Sequence, residues 1–148
     1  MLSIVFSACG PGYFYKSDKK IPGGIWLYRD TVDFSFNITD TASLYNLYLD
    51  TEYRDTFPNQ NIYLKLYTRF PDGKRFSKPY AFDLFDALGA AKGKCSGHDC
   101  NLHTILQENA FFNQPGQYTI TVEQFMRRDS VAGIRSVGLS VEKTVRKK

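Results

Sequence analysis

Apolar and polar residues alternate along several stretches of this 148-residue chain, and no other feature constrains its fold more strongly. In Val32–Ile38, apolar side chains occupy every second position. Successive side chains of a β-strand point to opposite faces, so such a stretch predicts a strand with one buried face. The same alternation recurs in Tyr45–Leu49, Ile62–Tyr67, Tyr118–Glu123 and Val137–Val141.

Residues typical of tight turns separate these stretches. They include Pro71-Asp72-Gly73 and Pro115-Gly116, where proline fixes φ and glycine permits a positive φ. Tyr80–Phe85 is a further strand candidate, residues 89–100 are interpreted as a loop, and residues 102–112 fit either a short helix or an irregular strand. No strand–helix–strand pattern indicates a parallel sheet. We therefore predict an all-β domain: an antiparallel β-sandwich of about seven to eight strands, with a jelly-roll order as one option.

The chain divides by composition into four segments. Residues 1–8 are interpreted as the remnant of a signal peptide, and residues 9–24, rich in glycine and proline, as a lipid-anchored tether with little regular structure. Residues 25–145 form the predicted sandwich, and residues 146–148 are a basic tail. The length suits one domain with a hydrophobic core of its own.

The N-terminal apolar stretch Met1–Ala8 is too short to span a bilayer. It ends in small residues before Cys9, as processed signal sequences do. The run Phe6-Ser7-Ala8-Cys9 resembles a lipobox, in which the cysteine thiol carries the lipid. The alternative is an ordinary apolar N-terminus with a buried cysteine. We expect lipidation at Cys9 and attachment to a membrane through that lipid.

The remaining two cysteines, Cys95 and Cys100, lie in one short segment with His98 and His103. Four such side chains are a chemically acceptable zinc set, but their spacing matches no common zinc motif. The short interval, which contains Gly97, permits a disulfide, and export would favour one. We expect the disulfide; free thiols and a metal site remain alternatives, and no cofactor is predicted.

One strand carries aromatic and basic residues on its predicted polar face: Tyr63, Lys65, Tyr67 and Arg69. Such a face can stack on flat ligands such as sugar rings or bases. The competing interpretation is a solvated strand face, because tyrosine favours strands in any case. If the face binds a carbohydrate, both tyrosine rings should be exposed and coplanar.

No motif in the chain indicates catalysis. It has no Gly-x-Ser-x-Gly, no phosphate-binding glycine loop and no His-Glu-x-x-His. Asp33, Asp40, Asp50 and Asp83 fall on predicted strands or turns, where carboxylates usually cap backbone groups or face water. The net charge of +4 is mild and does not indicate a nucleic-acid partner. We predict a protein that is not an enzyme.

Several segments, in this order, resemble the gliding-motility lipoprotein GldH family of Bacteroidetes-type bacteria. They are Trp26, Phe34–Thr41, Tyr45–Leu49 with Tyr53-Arg54, Phe57–Leu64, Pro71–Lys74, Pro115–Tyr118, Glu123–Arg127, Gly133-Ile134 and Val137–Leu139. The ordered set covers nearly the whole chain after Cys9. The segment Lys94–Cys100 departs from the family, in which a loop rich in tryptophan and glycine is expected here.

The resemblance implies an envelope lipoprotein associated with gliding motility and the type IX secretion machinery. Its expected partners are other envelope gliding and secretion proteins, and it transfers no catalytic residue. Surface export in such lipoproteins is associated with acidic residues soon after the lipidated cysteine, whereas the first carboxylate here is Asp18. We therefore expect an outer-membrane lipoprotein that faces the periplasm. A carbohydrate-binding module that uses the aromatic strand face is the alternative function.

Overall fold

The computed structural model describes residues 12–147, with side chains described as far as Thr144. Eight long strands and three short ones build the fold. The long strands are β1 (Tyr13–Lys20), β3 (Val32–Ile38), β4 (Ser43–Arg54), β5 (Asn61–Arg69), β6 (Arg75–Asp83), β8 (Asp99–Ala110), β9 (Gly116–Gln124) and β11 (Ile134–Lys147). The short strands are β2 (Ile25–Leu27), β7 (Lys94–Ser96) and β10 (Ser130–Ala132), and a 3₁₀ turn covers Pro22–Gly24.

The long strands form two antiparallel sheets. One sheet has the order β1-β11-β4-β8-β7 and the other β3-β9-β5-β6, while β10 and β2 pair separately. Consecutive long strands of the chain mostly alternate between the two sheets, and the resulting order is that of a jelly roll. The predicted fold class is confirmed. The predicted strand count is wrong, because three-residue strands are too short to display an alternating pattern.

The core lies between the two sheets, where the alternation of each strand directs its apolar side chains. In β4, Tyr45, Leu47, Leu49 and Tyr53 are buried, and their neighbours in the strand are only half-buried. β3 follows the same rule, with its apolar positions buried and its polar positions exposed. Tyr118 completes an aromatic layer by contacting Phe36, Phe70 and Phe112.

Three expectations about boundaries are corrected. Residues 13–20, assigned to a tether, form β1 at the edge of the five-stranded sheet; an edge strand buries little, which explains its weak alternation. β7 with the start of β8 occupies part of the predicted loop 89–100. Of the two alternatives for residues 102–112, the strand is observed, since β8 runs to Ala110. β11 reaches Lys147, so residues 146–147 continue the sheet. The signal segment 1–8 and Cys9 lie outside the described residues.

The sandwich has two ends, which we name by the position of β1. The proximal end is where β1 begins and includes loops 39–42, 70–74 and 111–115. The distal end includes residues 55–60, 84–93 and 125–129. Within residues 12–147 no helix has the length and apolar character needed to cross a membrane.

Candidate functional site

A cleft of about 490 Å³ opens on the outer face of the five-stranded sheet. It forms because alternate residues of the sheet point away from the core: Asp50 and Glu52 of β4 face outward beside His103 of β8. Lys92 and Lys94, from the segment that precedes β8, line one side of the cleft.

Two lining residues of the cleft, Asp50 and His103, belong to a hydrogen-bonded set of three side chains from three adjacent strands. Ser140 of β11 is fully buried, and its Oγ donates to Asp50 Oδ2 over 2.6 Å. The other carboxylate oxygen, Asp50 Oδ1, is hydrogen-bonded to His103 Nδ1. Asp50 therefore stands between the hydroxyl and the imidazole. Nucleophilic activation would require the hydroxyl to donate to the imidazole, so this order of groups suits binding and not acyl transfer.

Aromatic rings flank this set on one side. The Tyr48 ring stacks on the His103 imidazole, with centroids 4.3 Å apart and planes at 22°. Tyr13 meets both rings edge-on, at 6.4 Å from Tyr48 and 6.3 Å from His103. The Tyr48 hydroxyl donates to Glu142 Oε1 over 3.2 Å. The pKa of Tyr48 is raised chiefly by burial and next by the hydrogen bond to the Glu142 carboxylate, so the Tyr48 hydroxyl stays protonated at neutral pH.

Two glycines allow the backbone to lie close to the cleft. A Cβ on Gly138 would overlap the carboxylate of Asp18, which lies over the β11 backbone. A Cβ on Gly93 would overlap the backbone carbonyl of Asn101. The cleft wall therefore depends on close backbone approach at both positions.

Tyr53 holds that wall from beneath. Its fully buried hydroxyl donates to the Leu84 carbonyl over 2.7 Å and accepts the Gly93 N–H over 3.0 Å. Burial raises the pKa of Tyr53. One core tyrosine thus ties both ends of the segment 84–93 to the sheet, and this segment carries Lys92 into the cleft.

The predicted cysteine segment lies beside the cleft, as the β7–β8 hairpin. Cys95 and Cys100 are cross-strand partners with an S–S distance of 1.99 Å. The two histidines of the alternative zinc set point to different partners. His98 Nδ1 is 3.0 Å from Asp55 Oδ2, whereas His103 contacts Asp50. Among residues 12–147, no three His, Cys, Asp or Glu side chains are grouped so that they could hold a metal.

The predicted stacking face lies on the other sheet, facing away from the core. Tyr63 is 46% exposed, but Tyr67 is half-buried and carries the Lys65 Nζ 5.3 Å from its ring centroid. Two positions four residues apart on a strand are separated by about 13 Å, and no ring contact joins Tyr63 and Tyr67 in the described part of the chain. Arg69, at the end of the face, is exposed.

Sequence reasoning missed most of the cleft. It treated Asp50 as a carboxylate that caps or faces water, and it did not single out Tyr48 or Ser140. The signal was present in the alternation of β4, where Tyr48 and Asp50 occupy the polar positions between buried residues. What the alternation did not contain was the order of strands that places Ser140 and His103 on either side of Asp50.

Comparison with known proteins gives a family match across the sandwich. The model of the GldH lipoprotein family matches residues 13–141. A curated relative, the gliding motility lipoprotein GldH homolog of Christiangramia forsetii (strain DSM 17595 / CGMCC 1.15422 / KT0803), is 25% identical over 95% of this chain and 90% of its own length.

Solved structures resemble the chain only loosely. A carbohydrate-binding module specific for non-crystalline cellulose aligns with a TM-score of 0.43 and 12% identity, over 86% of this chain and 72% of its own. The VP2 subviral particle of infectious bursal disease virus gives a TM-score of 0.41 and 18% identity, over 95% of this chain and 34% of its own. Neither score reaches 0.5, so neither carries an inference about what this chain binds.

Proposed function

We propose, because this chain belongs to the GldH lipoprotein family, that it is a non-enzymatic envelope lipoprotein that supports gliding motility and the type IX secretion machinery through protein–protein contacts. The observation that carries the proposal is the family match over residues 13–141, which spans both sheets of the sandwich. The curated relative that aligns over most of both chains bears a gliding-motility name.

The proposed location is the outer membrane, with lipid on Cys9 and the sandwich in the periplasm. The lipobox-like run Phe6-Ser7-Ala8-Cys9 supports the anchor. The absence of a carboxylate between Cys9 and Asp18 supports the periplasmic side.

The proposed contact surface is the cleft on the five-stranded sheet. Its central groups are held in place before any partner arrives, because Asp50 accepts from Ser140 and contacts His103, while Tyr48 is held by Glu142. A preorganised site loses less side-chain entropy on binding. Tyrosine is enriched in protein interfaces, and charges of both signs around it would select a partner of complementary pattern.

Ligand stacking on the other sheet has less support. Of the two rings that it requires, Tyr63 is exposed but Tyr67 lies partly covered beneath Lys65. A carbohydrate ligand there would have to rely on Tyr63 with neighbouring polar groups. Carbohydrate binding therefore remains the second candidate function.

Site-specific photo-crosslinking in the native envelope tests the proposed surface. A photoreactive residue at Lys94 or at Ile105, which is 41% exposed on the same face, should capture one discrete envelope protein. The matched control places the same residue at Ser77, exposed on the outer face of the four-stranded sheet. Capture of the same protein from Ser77 with equal yield, or no capture from either cleft position, would contradict the proposal.

A further inference from the structure

The proximal end of the sandwich carries exposed aromatic rings and exposed basic side chains. Phe14 is 42% exposed, Phe76 58% and Phe111 55%, and all three lie at or beside this end. Lys74 and Arg75 are exposed there as well. Exposed rings next to basic side chains are the composition found where proteins meet the headgroup region of a bilayer.

Two arginines at this end face each other across neighbouring strands. Arg69 of β5 and Arg75 of β6 are direct cross-strand partners, and both are exposed. Like charges opposite each other destabilise a strand pair, so an external anion would relieve the repulsion. Guanidinium groups also bind phosphate through paired N–H donors.

Two carboxylates at this end already accept hydrogen bonds from neighbouring groups. Asp40 accepts from Lys143 Nζ over 2.6 Å, and Asp72 accepts the Lys74 N–H over 2.9 Å and the Gln114 amide over 3.2 Å. β11 also brings the positions of Arg146 and Lys147 to the same end. Lys143 is thus paired with Asp40 and Lys74 lies near Asp72, whereas Arg69 and Arg75 form no ion pair within the described residues.

Chain geometry sets the distance between this end and the predicted anchor. Cys9 lies four residues before Tyr13, where β1 begins, and four residues span at most about 14 Å. A lipid on Cys9 would hold the proximal end against the bilayer, and the distal end would point away.

We propose that the proximal end is a membrane-docking surface for an anionic phospholipid bilayer, with Arg69, Lys74 and Arg75 at the headgroup phosphates and Phe14 and Phe76 at the interface. The inference rests on the proposed lipid anchor for its orientation. Docking would fix the direction of the sandwich, so that the cleft on the five-stranded sheet stands upright from the membrane and open to envelope partners.

Vesicle co-sedimentation of the unlipidated protein tests this surface apart from the anchor. A chain that starts at residue 9 with Cys9→Ser retains every buried core residue of the described chain, the first of which is Ile21. It should bind vesicles of phosphatidylethanolamine and phosphatidylglycerol, and bind phosphatidylcholine vesicles far less. Added salt should weaken the binding, since it screens exposed charges.

Paired variants locate the surface. Each basic residue near an anionic bilayer contributes roughly a fivefold gain in partitioning, so Lys74→Gln with Arg75→Gln should lower binding by roughly 25-fold. Arg127→Gln with Arg128→Gln, an adjacent basic pair at the distal end, should leave it unchanged. Phe76→Ser should weaken binding, while Leu88→Ser, at a distal residue that is 96% exposed, should not.

The proposal is overturned if the protein binds neither vesicle type, or if the proximal and distal variant pairs lose vesicle binding equally. It is also overturned if the wild type sediments as a dimer and a proximal variant as a monomer, because the surface would then be an interface between two copies of the chain. Thermal unfolding of each variant separates loss of binding from loss of fold. The vesicle test uses neither the lipid on Cys9 nor a protein partner. Its failure would therefore leave the crosslinking test of the proposed function unaffected.

Discussion

Tyr53→Phe removes one buried hydroxyl and leaves the ring, so it isolates the polar support of the cleft wall. Two hydrogen bonds are lost, to the Leu84 carbonyl and from the Gly93 N–H. The Leu84 carbonyl retains the Lys92 N–H, at 2.9 Å, and Gly93 is only half-buried, so water can reach its amide. At about 1 kcal/mol for each bond, we expect the free energy of unfolding to fall by about 2 kcal/mol.

Urea denaturation measures this loss directly, and it corresponds to a fall in Tm of about 4–8 °C for a domain of this size. Native-state hydrogen exchange should also show faster exchange at the Gly93 amide. Tyr80→Phe is the matched control, because no protein hydrogen bond of the Tyr80 hydroxyl occurs among residues 12–147 and its ring is only half-buried. A Tyr53→Phe protein as stable as the wild type, with unchanged exchange at the Gly93 amide, would contradict the supporting role of this hydroxyl.

Three further predictions concern the disulfide of the β7–β8 hairpin, the Asp40 carboxylate and the lipid anchor. Mass spectrometry under non-reducing conditions should find the native protein lighter by two hydrogens through the Cys95–Cys100 disulfide, and replacing both cysteines with serine should cost on the order of 2 kcal/mol because the closed loop is short; stoichiometric zinc would contradict it. The Lys143 ammonium, and next the Ser43 hydroxyl, hold the pKa of Asp40 well below its usual range. The ionised carboxylate therefore contributes its full stabilisation of the fold above about pH 4, and this contribution is lost as the pH falls further. The difference in urea midpoint between the wild type and Asp40→Asn should shrink below that pH, and a constant difference would refute the assignment. Metabolic labelling with a fatty acid should mark the wild type but not Cys9→Ala. Protease added to intact cells should leave the protein whole, and digestion without breach of the outer membrane would place the domain on the cell surface.

The sequence predicted the architecture well because a sandwich is encoded by local periodicity. In β3 and β4, each buried residue sits where the alternation places it, and the turns at residues 70–74 and 111–115 follow from proline and glycine. β1 was missed because it is an edge strand whose only well-packed apolar side chain is Tyr15. Edge strands commonly carry charged side chains that deter pairing with another chain, and Lys16, Lys19 and Lys20 obscure the alternation in β1.

The cleft was harder to predict because it depends on strand order. Asp50, His103 and Ser140 are far apart in the chain and meet only because β4 lies between β8 and β11. Proximity in the sequence associates His103 with the cysteines, whereas pairing of β8 with β4 sets it opposite Asp50. Periodicity determines which face a residue occupies, but the neighbouring residues across strands follow from topology and register.

If this protein supports gliding through contacts made by the outer face of its five-stranded sheet, as proposed, exposed residues of that face should be needed for movement. Complementation of a deletion strain tests it most directly, with gliding measured by tracking single cells and protein abundance measured by immunoblot. We expect Lys94→Ala with His103→Ala to abolish gliding at normal abundance, and Tyr63→Ala with Lys65→Ala, on the outer face of the other sheet, to leave gliding intact. Normal gliding by the first variant, or loss of gliding by the second alone, would contradict it.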